Sequence, residues 1–268
     1  MNQKFLLLFT LILLFALNGN AEETNAQKKE KTKIALLGDS MTWLGGDRFD
    51  NPKGWTYYMS DRPVEMKLYA RSGATWTNTT HTRKDTDFYT DILDDSNVIY
   101  NQVCRLIQDV NPCEEKNETF KPDIIIVYAG ANDAWFNDRR PGIFDVVSTS
   151  LEEINLTALP SDYTTLAGSI YLSGKLLKEN FPESSIFLVT PVNGAKMTEE
   201  NIERVSDIIE RAGTELGMEV IRADREVPFS RAVESGPDKQ YTYDGVHSNE
   251  KGARKIAEVI KTHIFNKN

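Results

Sequence analysis

The chain of 268 residues carries 40 acidic against 31 basic side chains, a formal charge of −9. An acidic surface disfavours phosphate-backbone ligands, and with no basic cluster, no zinc-type Cys/His spacing and no P-loop, nucleic-acid and nucleotide chemistry is excluded. The length suits a single α/β domain of up to about 250 residues behind a short leader.

Behind Lys4, residues 5–17 form one apolar run, and Gly19 and Ala21 follow as small residues at a cleavage-site spacing. This pattern predicts a signal peptide over residues 1–21 and export to the periplasm or the extracellular space. A membrane span needs roughly 20 apolar residues. The run is shorter than that and no second stretch is long enough, so the mature chain is expected to carry no stable membrane span. Residues 22–32 are charged and lack periodicity, which predicts a flexible leader before one domain at 33–268.

Residues 33–38, Lys-Ile-Ala-Leu-Leu-Gly, read as a central strand buried on both faces. Four further strands are predicted at 64–69, 123–128, 185–190 and, more weakly, 218–222. Helices are predicted between and after them. Ile99, Val103, Leu106 and Val110 recur at three and four residues before Asn111-Pro112 stops the pattern. Leu166, Ile170, Leu176 and Leu177 mark a second helix. Ile202, Val205, Ile209, Ala212 and Leu216 mark a third, closed by Gly217. From Glu250, Ala253, Ile256, Ala257, Ile260 and Ile264 share one face of a fourth. Strands alternating with helices predict a three-layer α/β/α sandwich around a mostly parallel five-stranded sheet.

The two cysteines, Cys104 and Cys113, favour a disulfide in an exported chain, the alternative being two unpaired thiols. Residues 136–165 are the least regular segment and read either as a lid or pocket wall or as a decorated surface loop. The acidic run Asp85, Asp87, Asp91, Asp94 and Asp95 lacks EF-hand spacing and reads as a solvated face.

Ligands of an open parallel sheet bind beyond the carboxyl ends of its strands. Four polar stretches fall on that rim. Gly38-Asp39-Ser40 follows the first strand and Arg71-Ser72-Gly73-Ala74 the second. Gly130-Ala131-Asn132-Asp133 follows the third, and Asp244-Gly245-Val246-His247 comes after the fifth.

Ser40 is the candidate nucleophile, a role in which a hydroxyl needs a base within reach and donors for the oxyanion. His247 is the base of choice, because His81 lies in a polar loop and His263 at the chain end. Asp244, three residues earlier, can accept the Nδ1 proton and leave Nε2 facing Ser40. The Ser40 amide, the Gly73 amide and the Asn132 carboxamide could form a three-donor oxyanion hole. Asp133 is expected to brace its loop. Each stretch alone is common in loops; their order, spacing and shared rim make the combination specific.

Together these blocks resemble the SGNH/GDSL hydrolase superfamily, which contains serine esterases, lipases, thioesterases and carbohydrate deacetylases on a flavodoxin-like sheet. The resemblance covers most of residues 33–265 and implies a triad of Ser40, Asp244 and His247, with Ser40, Gly73 and Asn132 as the oxyanion hole. Ser248 stands where many members have proline, a change expected to affect only the helix start. The Gly-x-Ser-x-Gly elbow of α/β-hydrolases is absent.

The expected activity is hydrolysis of carboxylic esters through an acyl-enzyme, with no metal or organic cofactor required. O-acetyl or short acyl groups on carbohydrate are the expected substrate. A lysophospholipase or general short-chain esterase, and a catalytically silent carbohydrate-binding protein, are the competing readings. Trp43, Trp76 and Trp135 lie within three residues of the active blocks and are expected to wall the substrate pocket, with Trp55 on the same connection.

Overall fold

The computed structural model describes residues 31–83, 93–110, 120–145 and 150–266. The expected signal peptide, most of the leader, Asp85, Asp87, Asp91 and Cys113 lie outside these residues, and the expected disulfide lies outside with Cys113.

The sheet is built from β1 (Thr32–Gly38), β2 (Val64–Leu68), β3 (Ile124–Tyr128), β4 (Ser185–Val189) and β5 (Glu219–Ile221). All four pairings are parallel, in the order β2-β1-β3-β4-β5. This is the flavodoxin-like order, whose crevice opens where β1 and β3 part at the topological switch. Thr32, assigned above to the flexible leader, belongs to the sheet: it pairs with Val64 and begins β1.

The helices are α1 (Ser40–Trp43), α2 (Ile99–Val110), α3 (Ala131–Trp135), α4 (Leu166–Asn180), α5 (Glu199–Glu215), α6 (Ala223–Glu226), α7 (Arg231–Glu234) and α8 (Glu250–Phe265). Period-two alternation along the strands divides the core. Ala35, Leu37, Ile125, Val127 and Leu188 pack with Val103 of α2, Ile170 of α4 and Val205 and Ile209 of α5. Ile34, Leu36, Ile126, Phe187 and Val189 face the other way, onto Ile256 and Ile260 of α8 and onto Trp55 and Met59 of a 3-10 turn at Trp55–Met59. Burial of each such side chain contributes about 1.5–3 kcal/mol, which makes the two apolar seams the main support of the sandwich.

The described parts of segment 136–165 are packed against the body. Ile154 is buried in the α2/α4/α5 seam, Ile143 is also buried, and the Arg140 guanidinium donates to the Thr77 and Leu93 carbonyls. Two side chains of α4 hold the segment: Lys175 Nζ donates to the Ile154 carbonyl at 2.9 Å and Ser169 Oγ to the Tyr163 carbonyl at 2.8 Å.

Candidate active site

The chain leaves β1 through a backbone that only glycine accepts. Gly38 has φ 151°, and a Cβ there would lie 2.2 Å from the Tyr128 carbonyl oxygen. Asp39 then caps α1, its Oδ1 accepting from the Met41 amide at 2.9 Å. Ser40 is thereby the first residue of the helical turn, where an amide has no intrahelical acceptor.

Gly38 is also held from the side. The β1–β2 ladder stops at Leu36 opposite Leu68; beyond it the Arg71 amide donates to the Gly38 carbonyl at 3.0 Å and the Gln102 carboxamide of α2 meets both polar groups of Gly38. Gln102 Oε1 accepts from the Gly38 amide at 2.8 Å and Nε2 donates to the Gly38 carbonyl at 2.9 Å.

His247 joins this turn across the rim. Its Nε2 lies 3.0 Å from Ser40 Oγ and its Nδ1 lies 2.7 Å from Asp244 Oδ2. Asp244 Oδ1 accepts from the Val246 and His247 amides at 2.9 and 2.7 Å. Partial burial raises the Asp244 pKa, but the bonds from the His247 ring and from the two amides outweigh it and hold the carboxyl below its ordinary value. Gly245 has φ 92°, which permits the turn. The α8 N-cap is Asn249, whose side chain accepts from the Gly252 amide. Ser248 does more than start the helix: fully buried, it donates from Oγ to the Lys53 carbonyl at 2.6 Å and ties the base's turn to the connection after α1.

The oxyanion candidates are set by similar means. Gly73 is buried at φ 78°. The Ser72 carbonyl accepts from Asn97 Nδ2 at 2.8 Å, and because the peptide is planar and trans, the Gly73 N–H points away from Asn97. Asn132 sits in the first turn of α3 and donates one Nδ2 hydrogen to the Ala74 carbonyl at 2.9 Å, which brings it against the Gly73 loop and leaves its second hydrogen available. The second oxygen of the Asp39 carboxyl, Oδ2, is buried without a hydrogen-bond partner. Burial raises the Asp39 pKa to about 7, the bond from Met41 and the nearby His247 opposing it.

Two buried carboxylates brace the loops. Asp133 accepts from the Trp76 amide, the Thr77 amide and the Thr77 hydroxyl at 2.9, 3.0 and 2.6 Å. Glu234 does the same to the Tyr241 amide, the Thr242 amide and the Thr242 hydroxyl at 3.0, 3.0 and 2.6 Å.

The tryptophans divide. Trp43 is 43% exposed, and Trp135 is partly buried and stacked on Phe136. Trp76 corrects the expectation of a pocket wall: Asp133 draws the 76–77 backbone inward, and the indole is buried in the seam under α2 and α4. Trp55 is likewise core. An exposed ring beside the reacting pair that sequence spacing did not single out is Tyr243, stacked on His247 at 5.9 Å with Lys53 Nζ 4.6 Å above it. Its position beside Asp244 was the available signal. His81 is exposed and His263 pairs with Glu226 at 2.7 Å, so neither competes for the role of base.

A parallel sheet in flavodoxin-like order, with serine, histidine and carboxylate hydrogen-bonded in series on its carboxyl rim, is the arrangement of a hydrolytic enzyme. The sequence model of the GDSL-like Lipase/Acylhydrolase family matches residues 34–260, and the chain belongs to that family of carboxylic ester hydrolases. Solved structures share the fold at low identity. A Lactobacillus plantarum protein is 17% identical with a TM-score of 0.58, over 89% of this chain and 99% of its own. A GDSL-like lipase from Bacteroides thetaiotaomicron is 16% identical with a TM-score of 0.50, over 88% and 89%. An acetyl xylan esterase is 18% identical with a TM-score of 0.50, over 87% and 100%. A comparison with curated proteins returned no match.

Proposed function

We propose that the chain is an exported serine esterase that removes acetyl or other short acyl groups from carbohydrate. The observation that carries the chemistry is the unbroken series from Asp244 through His247 to Ser40 Oγ. His247 Nε2 takes the Ser40 proton as Oγ attacks the acyl carbon. The carbonyl oxygen becomes an oxyanion held by the Ser40 and Gly73 amides and the Asn132 carboxamide, each such donor being worth about 2.7–4 kcal/mol in the transition state. The imidazolium then protonates the leaving alcohol oxygen. In the second half His247 deprotonates water, which attacks the acyl-enzyme and returns Ser40 and the free acid. Asp244 holds the tautomer and the charge of the imidazolium throughout.

The carbohydrate part of the reading is supported by the exposed Trp43 and Tyr243 rings beside the reacting pair. The name of one fold relative, acetyl xylan esterase, fits it. Export is supported by the apolar run behind Lys4.

The test compares acetate release from acetylated glycans with hydrolysis of p-nitrophenyl esters of increasing chain length, for wild type and Ser40→Ala. Acetate release with a preference for short chains, abolished in Ser40→Ala, is expected. A clear preference for long acyl chains refutes the carbohydrate reading, and retained activity in Ser40→Ala refutes the nucleophile.

A further inference from the structure

Away from the reacting pair, a groove of about 460 Å³ lies between the Trp55–Met59 turn and α8, lined by Tyr57, Tyr58, Ser60, Asp61, Arg254, Glu258 and Lys261. Arg254, Glu258 and Lys261 recur at four and three residues and so share one face of α8. The helix begins three residues after His247, at Glu250, with its N-cap at Asn249. At the α-helical rise the groove therefore runs from about 8 Å to about 18 Å down the helix from that cap.

The groove is built. The Tyr58 hydroxyl donates to the Pro52 carbonyl at 3.0 Å, Arg254 lies over its ring at 4.6 Å, and Tyr57 meets it edge-on at 5.0 Å. Lys261 Nζ donates to the Tyr58 carbonyl at 3.1 Å and to Asp61 at 2.7 Å. The Tyr57 ring is left open, 40% exposed.

A second observation is independent of the cavity. Among the described residues the well-exposed aromatic side chains are Trp43, Tyr57 and Tyr243. Two of them adjoin the reacting pair: Trp43 ends the turn that starts at Ser40, and Tyr243 stacks on His247. The third stands in the groove. An exposed tyrosine face on the wall of a groove is a surface on which a sugar ring packs.

We propose that this groove is an accessory site for a neutral glycan chain; it rests on the carbohydrate reading above and deepens it. Two carboxylates and two cations line it. Asp61 and Glu258 accept from Lys261 and Lys255 at 2.7 Å each; a polyanion would meet these carboxylates, and an acyl chain would bury the charged pairs, which is costly. Sugar hydroxyls donate to the carboxylates and accept from the guanidinium and ammonium groups, while a flat tyrosine face packs against a sugar ring. The volume is that of a small-molecule site.

Affinity electrophoresis of the full chain tests binding without catalysis, in gels containing deacetylated xylan, glucomannan or, as the anionic counterpart, polygalacturonate. Wild type is expected to be retarded by xylan or glucomannan, with at least fivefold weaker binding in Tyr57→Ala and in Glu258→Gln. Melting curves check that both variants are folded. No retardation by either neutral glycan, retardation by polygalacturonate alone, or equal retardation of wild type and both variants overturns the site. A kinetic arm keeps the two readings apart: the ratio of kcat/KM on acetylated xylan to that on p-nitrophenyl acetate should fall at least fivefold in each variant. Acetate release with no change in that ratio or in retardation removes the groove and leaves the esterase reading. Retardation lost in the variants of a protein that releases no acetate removes the esterase reading and leaves the groove.

Discussion

Asp133 and Glu234 make the same clamp in two different loops: each is buried, and each accepts two successive amides and the hydroxyl of a threonine. Asp133 fixes residues 76–77 beyond the Gly73 loop. Glu234 fixes residues 241–242 just before Asp244. Both are positioning residues, since neither touches the reacting atoms.

Glu234→Ala strips three buried donors of their acceptor, and orphaned groups of this kind cost about 1–3 kcal/mol each. The variant should lose roughly 3 kcal/mol or more in urea unfolding, while Glu234→Gln loses about half as much. If Glu234→Gln folds, its kcat should drop with little change in KM, because the base's turn is displaced and the binding surface is not. An effect on KM alone would show that Glu234 does not position the turn.

Asn132→Ala removes the one side-chain donor of the oxyanion hole. The expected loss is about 10²–10³ in kcat with KM nearly unchanged. Steady-state kinetics on p-nitrophenyl acetate decides it, and a change confined to KM would reduce Asn132 to a substrate contact.

Asp244→Asn keeps the shape of the turn but presents His247 Nδ1 with the wrong partner. A fall of about 10⁴ in kcat is expected for a triad that loses its carboxylate in this way. A variant within tenfold of wild type would mean that Asp244 is dispensable.

Asp39 gives a stability signature. Its pKa is raised by burial from 3.8 to about 7, so between those values the folded chain holds a proton that the unfolded chain has released. Stability from this group is complete below about pH 4 and is lost as pH rises through 7. Asp39→Asn keeps the helix cap and removes the titration. Urea midpoints at pH 5 and pH 8 should therefore diverge between the two proteins, with wild type losing more on the alkaline side. Parallel profiles would rule out a buried titrating Asp39.

The sequence carried the fold because β1, β3 and β4 are short apolar runs, because β2 alternates Val64, Met66 and Leu68 with charged residues, and because the α2, α5 and α8 stripes are strongly periodic. The site blocks were legible for a related reason: they sit directly after strands, so Ser40, Gly73 and Asn132 inherit their location from Gly38, Leu68 and Tyr128. Gln102, Asn97 and Glu234 were not legible. Their partners are main-chain atoms of loops folded against them, Gly38 being 64 residues away from Gln102, and no periodicity records such a bond. Trp76 was misjudged because sequence distance from Gly73 says nothing of direction, which Asp133 decides.

Main-chain amides and carbonyls are common to every residue type, so clamps that end on them place no demand on the identity of the clamped side chain. Gln102 grips the peptide groups of Gly38, Asn97 grips that of Ser72, and Ser248 grips that of Lys53. A rim secured in this fashion can exchange most of the side chains facing its substrate while its reacting atoms stay put. The loop surfaces around Trp43 and Tyr243 are therefore the natural ground for retuning which ester is accepted.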